Sequence, residues 1–223
     1  MAYSNILVGA GTRPAQPLIR KISVADLRDA LAKGMDDFYA MPTHAMFLCI
    51  IYPIVGFVLA RFIFGYSILP LLYPLVSGFA LVGPVAALGL YELSRRREAG
   101  LQTSAARAFD VFESSSIGAI AALGLLLLVI FAVWLAIANA IYIANFGYAE
   151  PTSIEDFLHD VLTTRAGWTL IVVGNGVGLL FAILVLTISV VSFPLLLDRD
   201  VGAAGALLTS IRAVARNPWT MAV

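Results

Sequence analysis

Apolar residues in this chain fall into four long blocks separated by shorter polar segments: Thr43 to Phe64, Ile68 to Leu93, Ile117 to Ala144 and Trp168 to Leu197. Each is long enough to cross a hydrocarbon core of roughly 30 Å, which takes about 20 helical residues. A helix satisfies its own backbone in lipid, whereas an isolated strand leaves it unpaired, so the pattern predicts four membrane-spanning helices. The polar stretch before Thr43 holds no uninterrupted apolar core and does not read as a signal peptide.

The polar segments carry a second periodicity. Val24, Leu27, Leu31, Met35 and Phe38 recur at steps of three and four, which predicts an amphipathic helix over Ser23 to Phe38, opened by Ser23 and Asp26 as a capping-box-like pair. Leu101, Ala105, Ala108, Phe109 and Phe112 form a similar stripe, and Val201, Ala204, Leu207, Leu208, Ile211 and Val214 a third. Each precedes an apolar run, entered at Pro42, Ser116 and Pro218. Any juxtamembrane helix lying in the interface has such a stripe. The alternative is duplication of one unit, an interfacial helix plus a two-span hairpin. That alternative divides the chain into a tail (1–22), a first unit (23–98), a second unit (99–198) and the start of a third (199–223). It also expects a third hairpin after Pro218, where the six residues to Val223 read as the opening turns of a fifth span. The fold class expected is thus an all-α, polytopic bundle of transmembrane helices with interfacial amphipathic helices in repeated helix-plus-hairpin units.

Composition sharpens this picture. Hydrophobic residues make up 61% of the 223 and charged residues 13%, far from the balance of a water-soluble domain. The formal net charge is zero, which argues against a nucleic-acid partner, and the single cysteine, Cys49, excludes an intramolecular disulfide or a thiolate metal cluster. The charges are unevenly placed. Of 14 Lys and Arg, 12 lie before the first block, between the second and third, or after the fourth, leaving only Arg61, at the outer end of the first block, and Arg165 in the outer loop. The positive-inside rule then puts the N-terminus in the cytoplasm. The loop from Asn145 to Gly167 lies outside, with Ser153 and Asp156 placed to cap a short helix bearing Ile154, Phe157, Leu158, Val161 and Leu162 on one face.

Few residues suggest chemistry. His44 and His159 fall on opposite sides of the membrane and cannot share a metal or haem; no Ser–His–Asp set, HExxH or phosphate loop is present. No cofactor and no enzymatic activity are expected. Asn139 and Asn175 lie within spans, where an unpaired amide is costly; they are candidates for helix–helix hydrogen bonding or for a substrate or ion contact. Gly174 and Gly178 flank Asn175 as a GxxxG that admits a close helix neighbour. Glu92 with Arg95 and Arg96, and Asp198 with Arg199, pair acid and base near the cytoplasmic interface and read as depth anchors. Pro53, Pro70, Pro74, Pro84 and Pro194 interrupt the spans, serving packing or gating. The expected partners are the lipid bilayer and other membrane subunits or a second copy of the chain. The role expected is a structural or accessory subunit; the alternative is a small transporter or channel built from parallel hairpin repeats.

Several blocks resemble a known family. They are Ala25-Asp26-Leu27 with Ala30-Leu31, Gly34, Asp37-Phe38 and Pro42; Gly78 to Pro84 with Gly89-Leu90-Tyr91-Glu92 and Ser94 to Glu98; and Gly167-Trp168, Gly174-Asn175, Pro194 to Arg199 and Asn217-Pro218. The chain resembles a bacterial family of integral membrane proteins of uncharacterised function with about six spans. The resemblance implies no activity and no catalytic residue, and it implies a further hairpin. Some members carry the label cytochrome c oxidase subunit I, but such a site needs several imidazoles from facing helices, which two histidines on opposite sides do not provide.

Overall fold

The computed structural model describes residues 18–40, 66–79, 81, 83–148, 151 and 153–223. The first expected span, with His44, Cys49, Pro53 and Arg61, lies outside the described residues. Those described are helical throughout, with no strand among them. In order they form α1 (Val24–Ala40), a 3-10 helix (Tyr66–Leu71), α2 (Leu72–Phe79), α3 (Gly83–Ala86), α4 (Leu88–Glu98), a second 3-10 helix (Ala105–Glu113), α5 (Ile117–Phe146), α6 (Ile154–Thr163), α7 (Arg165–Ser189), α8 (Ser192–Asp198), α9 (Gly202–Arg216) and α10 (Pro218–Met221).

Two stretches among these are long and apolar enough to cross a membrane, Ile117–Phe146 with 30 residues and Arg165–Asp198 with 34. The other described block, Ile68 to Leu93, is instead a succession of short helical pieces. Proline accounts for the starts of α2 and α3, while Pro70 lies inside the first 3-10 helix. Pro74, Pro84 and Pro194 fall at the second or third position of α2, α3 and α8, and Pro218 is the first residue of α10. A proline suits the first turn of a helix, where no donor is needed, and cannot continue the preceding one. Pro194 shows this within a single span. It has no N–H to offer the carbonyl of Val190, and α7 stops at Ser189 before α8 starts at Ser192. Polar side chains satisfy that break: the Ser210 hydroxyl donates to Thr187 O (2.8 Å) and accepts from Val191 N–H (3.3 Å), and the Ser192 hydroxyl returns to Ile188 O (2.5 Å).

The chain divides into two compact units. Of the described residues, one comprises those within 18–40, 84–125 and 185–223, the other those within 66–83 and 126–184. In the first unit the amphipathic helices turn their apolar stripes outward. Residues Val24, Leu31, Met35 and Phe38 of α1 are exposed, and so are Leu208 and Ile211 of α9. What α9 buries is a line of small or polar residues, Ala206, Ser210 and Ala213, with Asn217 just after its end. The expected second amphipathic helix is a 3-10 helix, whose period of three aligns Ala108 and Val111 inward and leaves Leu101, Phe109 and Phe112 exposed. Outward apolar stripes are costly in water and favourable at a lipid interface.

Polar bonds position α1. Asn217 accepts from Ile22 N–H (2.9 Å) and donates to Arg20 O (3.1 Å), while the Thr220 hydroxyl donates to Ile22 O (3.1 Å). The helix then opens on the expected cap: Ser23 N–H and the Ser23 hydroxyl both donate to Asp26 Oδ2, at 2.7 and 2.8 Å. Those two donors, the backbone one first, hold the Asp26 carboxyl below its ordinary value of 3.8. A lowered folded-state value stabilises the cap at pH above about 4 and loses that contribution as pH falls through and below it. Amide hydrogen exchange in the first turn of α1 is therefore expected to quicken, beyond its intrinsic pH dependence, on acidification from pH 6 to 3. In Asp26→Asn that extra acceleration should be absent; its persistence would assign the change to another group.

In the second unit, α6 opens on the other expected cap, with Asp156 N–H donating to Ser153 Oγ (3.0 Å). It packs Phe157 against Tyr142 at a centroid distance of 6.3 Å, and Tyr142 stacks on Phe146 at 5.3 Å. Ile154, Leu158 and Leu162, one turn apart along the helix, stay exposed.

Candidate functional site

Asn175 anchors a polar contact in the second unit. Its Oδ1 accepts from the Tyr73 hydroxyl at 2.7 Å, and its Nδ2 donates to Ile171 O one turn back in α7 at 2.8 Å. Beside it, the buried Trp134 of α5 donates from Nε1 to Pro74 O at 3.0 Å and lies tilted against Phe181 at a centroid distance of 5.6 Å. Two glycines make room for that indole. A Cβ on Gly78 would lie 2.6 Å from Trp134 Cδ1, and one on Gly178 would lie 3.1 Å from Trp134 Cη2. Asn175 and Gly178 thus join one packing centre across α2, α5 and α7. Gly174 does not: nothing lies within 4 Å of where its Cβ would be. Asn139 also stands apart, exposed on α5 with no side-chain hydrogen bond to a described residue.

Tyr73 and Trp134 were not legible as partners of Asn175. Both look like ordinary interfacial or core aromatics in an apolar run, and their pairing depends on the register of α2 against α5 and α7. Phenylalanine at Tyr73 should cost about 0.5–2 kcal/mol of stability, the range for a hydrogen bond between membrane helices. Unfolding in mixed micelles measures it; a smaller loss in Tyr73→Phe/Asn175→Leu than the sum of the singles would show the two coupled.

The first unit holds an ionic cluster. Glu92, buried in α4, receives Arg95 through two parallel bonds (Nε to Oε2, 2.7 Å; Nη2 to Oε1, 2.8 Å). Arg96 lies 4.0 Å from Glu92, donates to Asp110 at 2.8 Å and caps Gln102 O at 3.0 Å, so it ties α4 to the 3-10 helix. Arg107 adds a looser contact to Asp110 at 3.5 Å. On the other side of α4, Arg97 and the Ser94 hydroxyl both donate to Asp37, which docks α1. Gly89 permits the close approach of α4 to the 3-10 helix, since its Cβ would sit 3.2 Å from that of Ala108. Asp198 and Arg199 pair at 3.2 Å with both side chains 63% exposed, and their ion pair is not hydrogen-bonded into that cluster.

The two expected anchors therefore differ in kind. Glu92, Arg95 and Arg96 belong to a partly buried network that joins three helical segments, while Asp198 and Arg199 form a solvated pair. Asp37, Ser94, Arg97 and Asp110 complete the network; these polar residues were readable along the chain, but not their pairing across distances of 14 to 60 residues. Among the described residues no group of three or more His, Cys, Asp or Glu is placed to hold a metal ion.

Neither a curated protein nor a solved structure matches the chain. A protein-family model does match, over residues 71–198, and its family is described as "predicted integral membrane protein" (DUF2189). That segment contains Pro74, Pro84 and Pro194, the Glu92, Arg95, Arg96 and Asp110 part of the ionic cluster, both long apolar helices and the Asn175 contact. The match covers more than half of the chain, which therefore belongs to the DUF2189 family of integral membrane proteins.

Proposed function

We propose that this protein is a non-catalytic structural or accessory subunit of the bacterial inner membrane, which it crosses several times with its N-terminus in the cytoplasm. The observation that carries the role is the use made of Asn175. Its carbonyl accepts from Tyr73 and its amide donates to its own helix, so the polar group of α7 is spent on holding helices together. A substrate-binding amide in a transporter would instead offer those atoms to a cavity. The 12-to-2 placement of Lys and Arg supports the orientation.

Mild-detergent extraction followed by native mass measurement tests the role. The accessory reading expects one reproducible complex containing a second membrane protein. A particle holding only this chain, in one copy or several, would overturn it. Orientation is read separately by labelling intact cells with a membrane-impermeant maleimide in a Cys49→Ser background. Ser153→Cys should label and Ser104→Cys should not; the reverse pattern would invert the topology.

One observation favours a second reading. The block from Tyr66 to Glu98 is broken into short helices, and discontinuous spans are a feature of small transporters. Solute flux across proteoliposomes, reduced at least tenfold by Asn175→Ala without loss of helicity, would decide for a transporter.

A further inference from the structure

Asn139 is the polar residue of α5 that the packing centre leaves out. It lies seven residues before the end of α5 at Phe146, about 10 Å along the axis, and so about two turns inside the helix. Its amide is exposed and bonds to no described residue. In a hydrocarbon environment an amide in that state is costly, and it is relieved by a polar partner from another helix.

The residues around it have a specific spacing. Ala121, Leu125, Leu128, Ala132, Leu135 and Asn139 follow one another at steps of four, three, four, three and four. This is the seam of a left-handed helix pair, with Asn139 on the same register as Leu125 and Ala132. All but the half-buried Leu135 are exposed. A different face of α5 is already used within the chain, through Leu123, Leu127, Trp134, Ala138 and Tyr142. Among the described residues the helix thus has one buried face and one heptad seam without a partner.

We propose that this seam pairs with the same seam of a second copy of the chain, forming a parallel two-fold dimer closed by reciprocal Asn139 hydrogen bonds. Two physical arguments select a second copy. An amide is self-complementary: across a two-fold axis each Nδ2 donates to the other Oδ1, and neither group is left unpaired. Moreover, two copies inserted by the same charge asymmetry have the same orientation, so their α5 helices run parallel and identical positions meet at the same depth. A single asparagine on a heptad seam is the device that fixes register and selects a two-stranded pair. Small Ala132 next to it lets the backbones approach closely enough for the amides to meet. The inference uses only the membrane placement of α5 and is independent of the accessory role.

The test uses the full chain in a Cys49→Ser background, reconstituted at low protein density in vesicles of phosphatidylcholine and phosphatidylglycerol. Oxidation of Ala132→Cys should give a covalent species at twice the 23.8 kDa chain mass. Val133→Cys, also exposed but about 100° round the helix, should give at least tenfold less. In the Ala132→Cys chain, Asn139→Leu should weaken the dimer about 3- to 30-fold, the equivalent of the known range for such bonds. Asn139→Gln, which keeps the amide, should restore most of the cross-linking, and unchanged far-ultraviolet dichroism would show that both variants are folded. Equal cross-linking at positions 132 and 133, no cross-linking at either, or indifference to Asn139→Leu would each overturn the proposal. So would an adduct of Ala132→Cys in native membranes whose mass matches a different protein.

Discussion

Replacing Gly167 by alanine should remove most of the folded protein. A Cβ at this position would lie 2.2 Å from Val161 O, 2.5 Å from Asp160 O and 2.5 Å from Val161 C. All three are backbone atoms, so no side-chain rotation relieves the overlap. They are also held in place: Thr164 donates to Asp160 O from its hydroxyl at 2.6 Å and from its N–H at 3.1 Å, and Gly167 N–H returns to Thr164 Oγ1 at 3.0 Å. The glycine lets α7 start directly against the last turn of α6. With alanine there, either α6 detaches or the first turn of α7 unwinds, at a cost of about 3 kcal/mol or more, at the upper end of overpacking effects. Expression in membranes and thermal aggregation in detergent measure the loss. Gly174→Ala is the matched control on the same helix. Open space surrounds that site, so the alanine should be neutral or stabilise by up to about 1 kcal/mol through helix propensity. Equal behaviour of the two variants would refute the assigned contact.

Arg96→Leu should be the most damaging charge removal. The side chain of Arg96 is 16% exposed and that of Glu92 6%. Arg96 serves two acceptors at once, Asp110 and Gln102 O. Its loss leaves Asp110 with the looser Arg107 contact, Gln102 O without its cap, and Glu92 with Arg95 alone. Removing one member of a partly buried network costs about 2–4 kcal/mol, because the remaining charges stay desolvated. Arg96→Lys should recover only part of this, since one ammonium cannot present a rigid fork to two acceptors. Asp198→Ala should change stability by no more than about 1 kcal/mol, because that ion pair is solvated on both sides. Chemical unfolding in mixed micelles ranks the three. A loss for Asp198→Ala as large as for Arg96→Leu would show that burial does not separate the two pairs.

Much of the local structure was readable from residue spacing. The caps at Ser23 and Ser153 form where serine precedes aspartate by three residues, because the geometry that joins them is contained in one helical turn. The long helices over Ile117–Phe146 and Arg165–Ser189 follow from unbroken apolar runs. The Ile68 to Leu93 block was expected as one span, and proline chemistry accounts for two of its breaks: Pro74 and Pro84 each stand in the first turn of a new helix, where the ring cannot extend the old one. The apolar stripes of α1 and α9 were read correctly as stripes. Their direction was not a property of the stripe, and it is the small line of Ala206, Ser210 and Ala213 that α9 turns inward.

The candidate site divides in the same way. Asn175, Gly178, Glu92, Arg95 and Arg96 stand out by type: an amide in an apolar helix, a glycine at close spacing, charges at the end of a span. Their partners are far away in sequence. Tyr73 is 102 residues from Asn175, Asp37 is 60 from Arg97, and Ile22 is 195 from Asn217.

By itself the sequence determined that this is a helical membrane protein, which segments are apolar enough to span, and where the helices at Ser23 and Ser153 are capped. These depend on transfer free energy and on backbone geometry within a few residues. Only the tertiary structure decided which polar groups are spent inside the chain and which remain on offer. Gly174 and Gly178 occupy the same kind of position in one motif, yet only Gly178 receives Trp134; Asn139 and Asn175 are the same residue in similar helices, yet only Asn175 receives Tyr73. The physical reason is that a hydrogen bond or a close approach needs two surfaces in register, and register across helices is set by packing of the whole bundle rather than by any one segment.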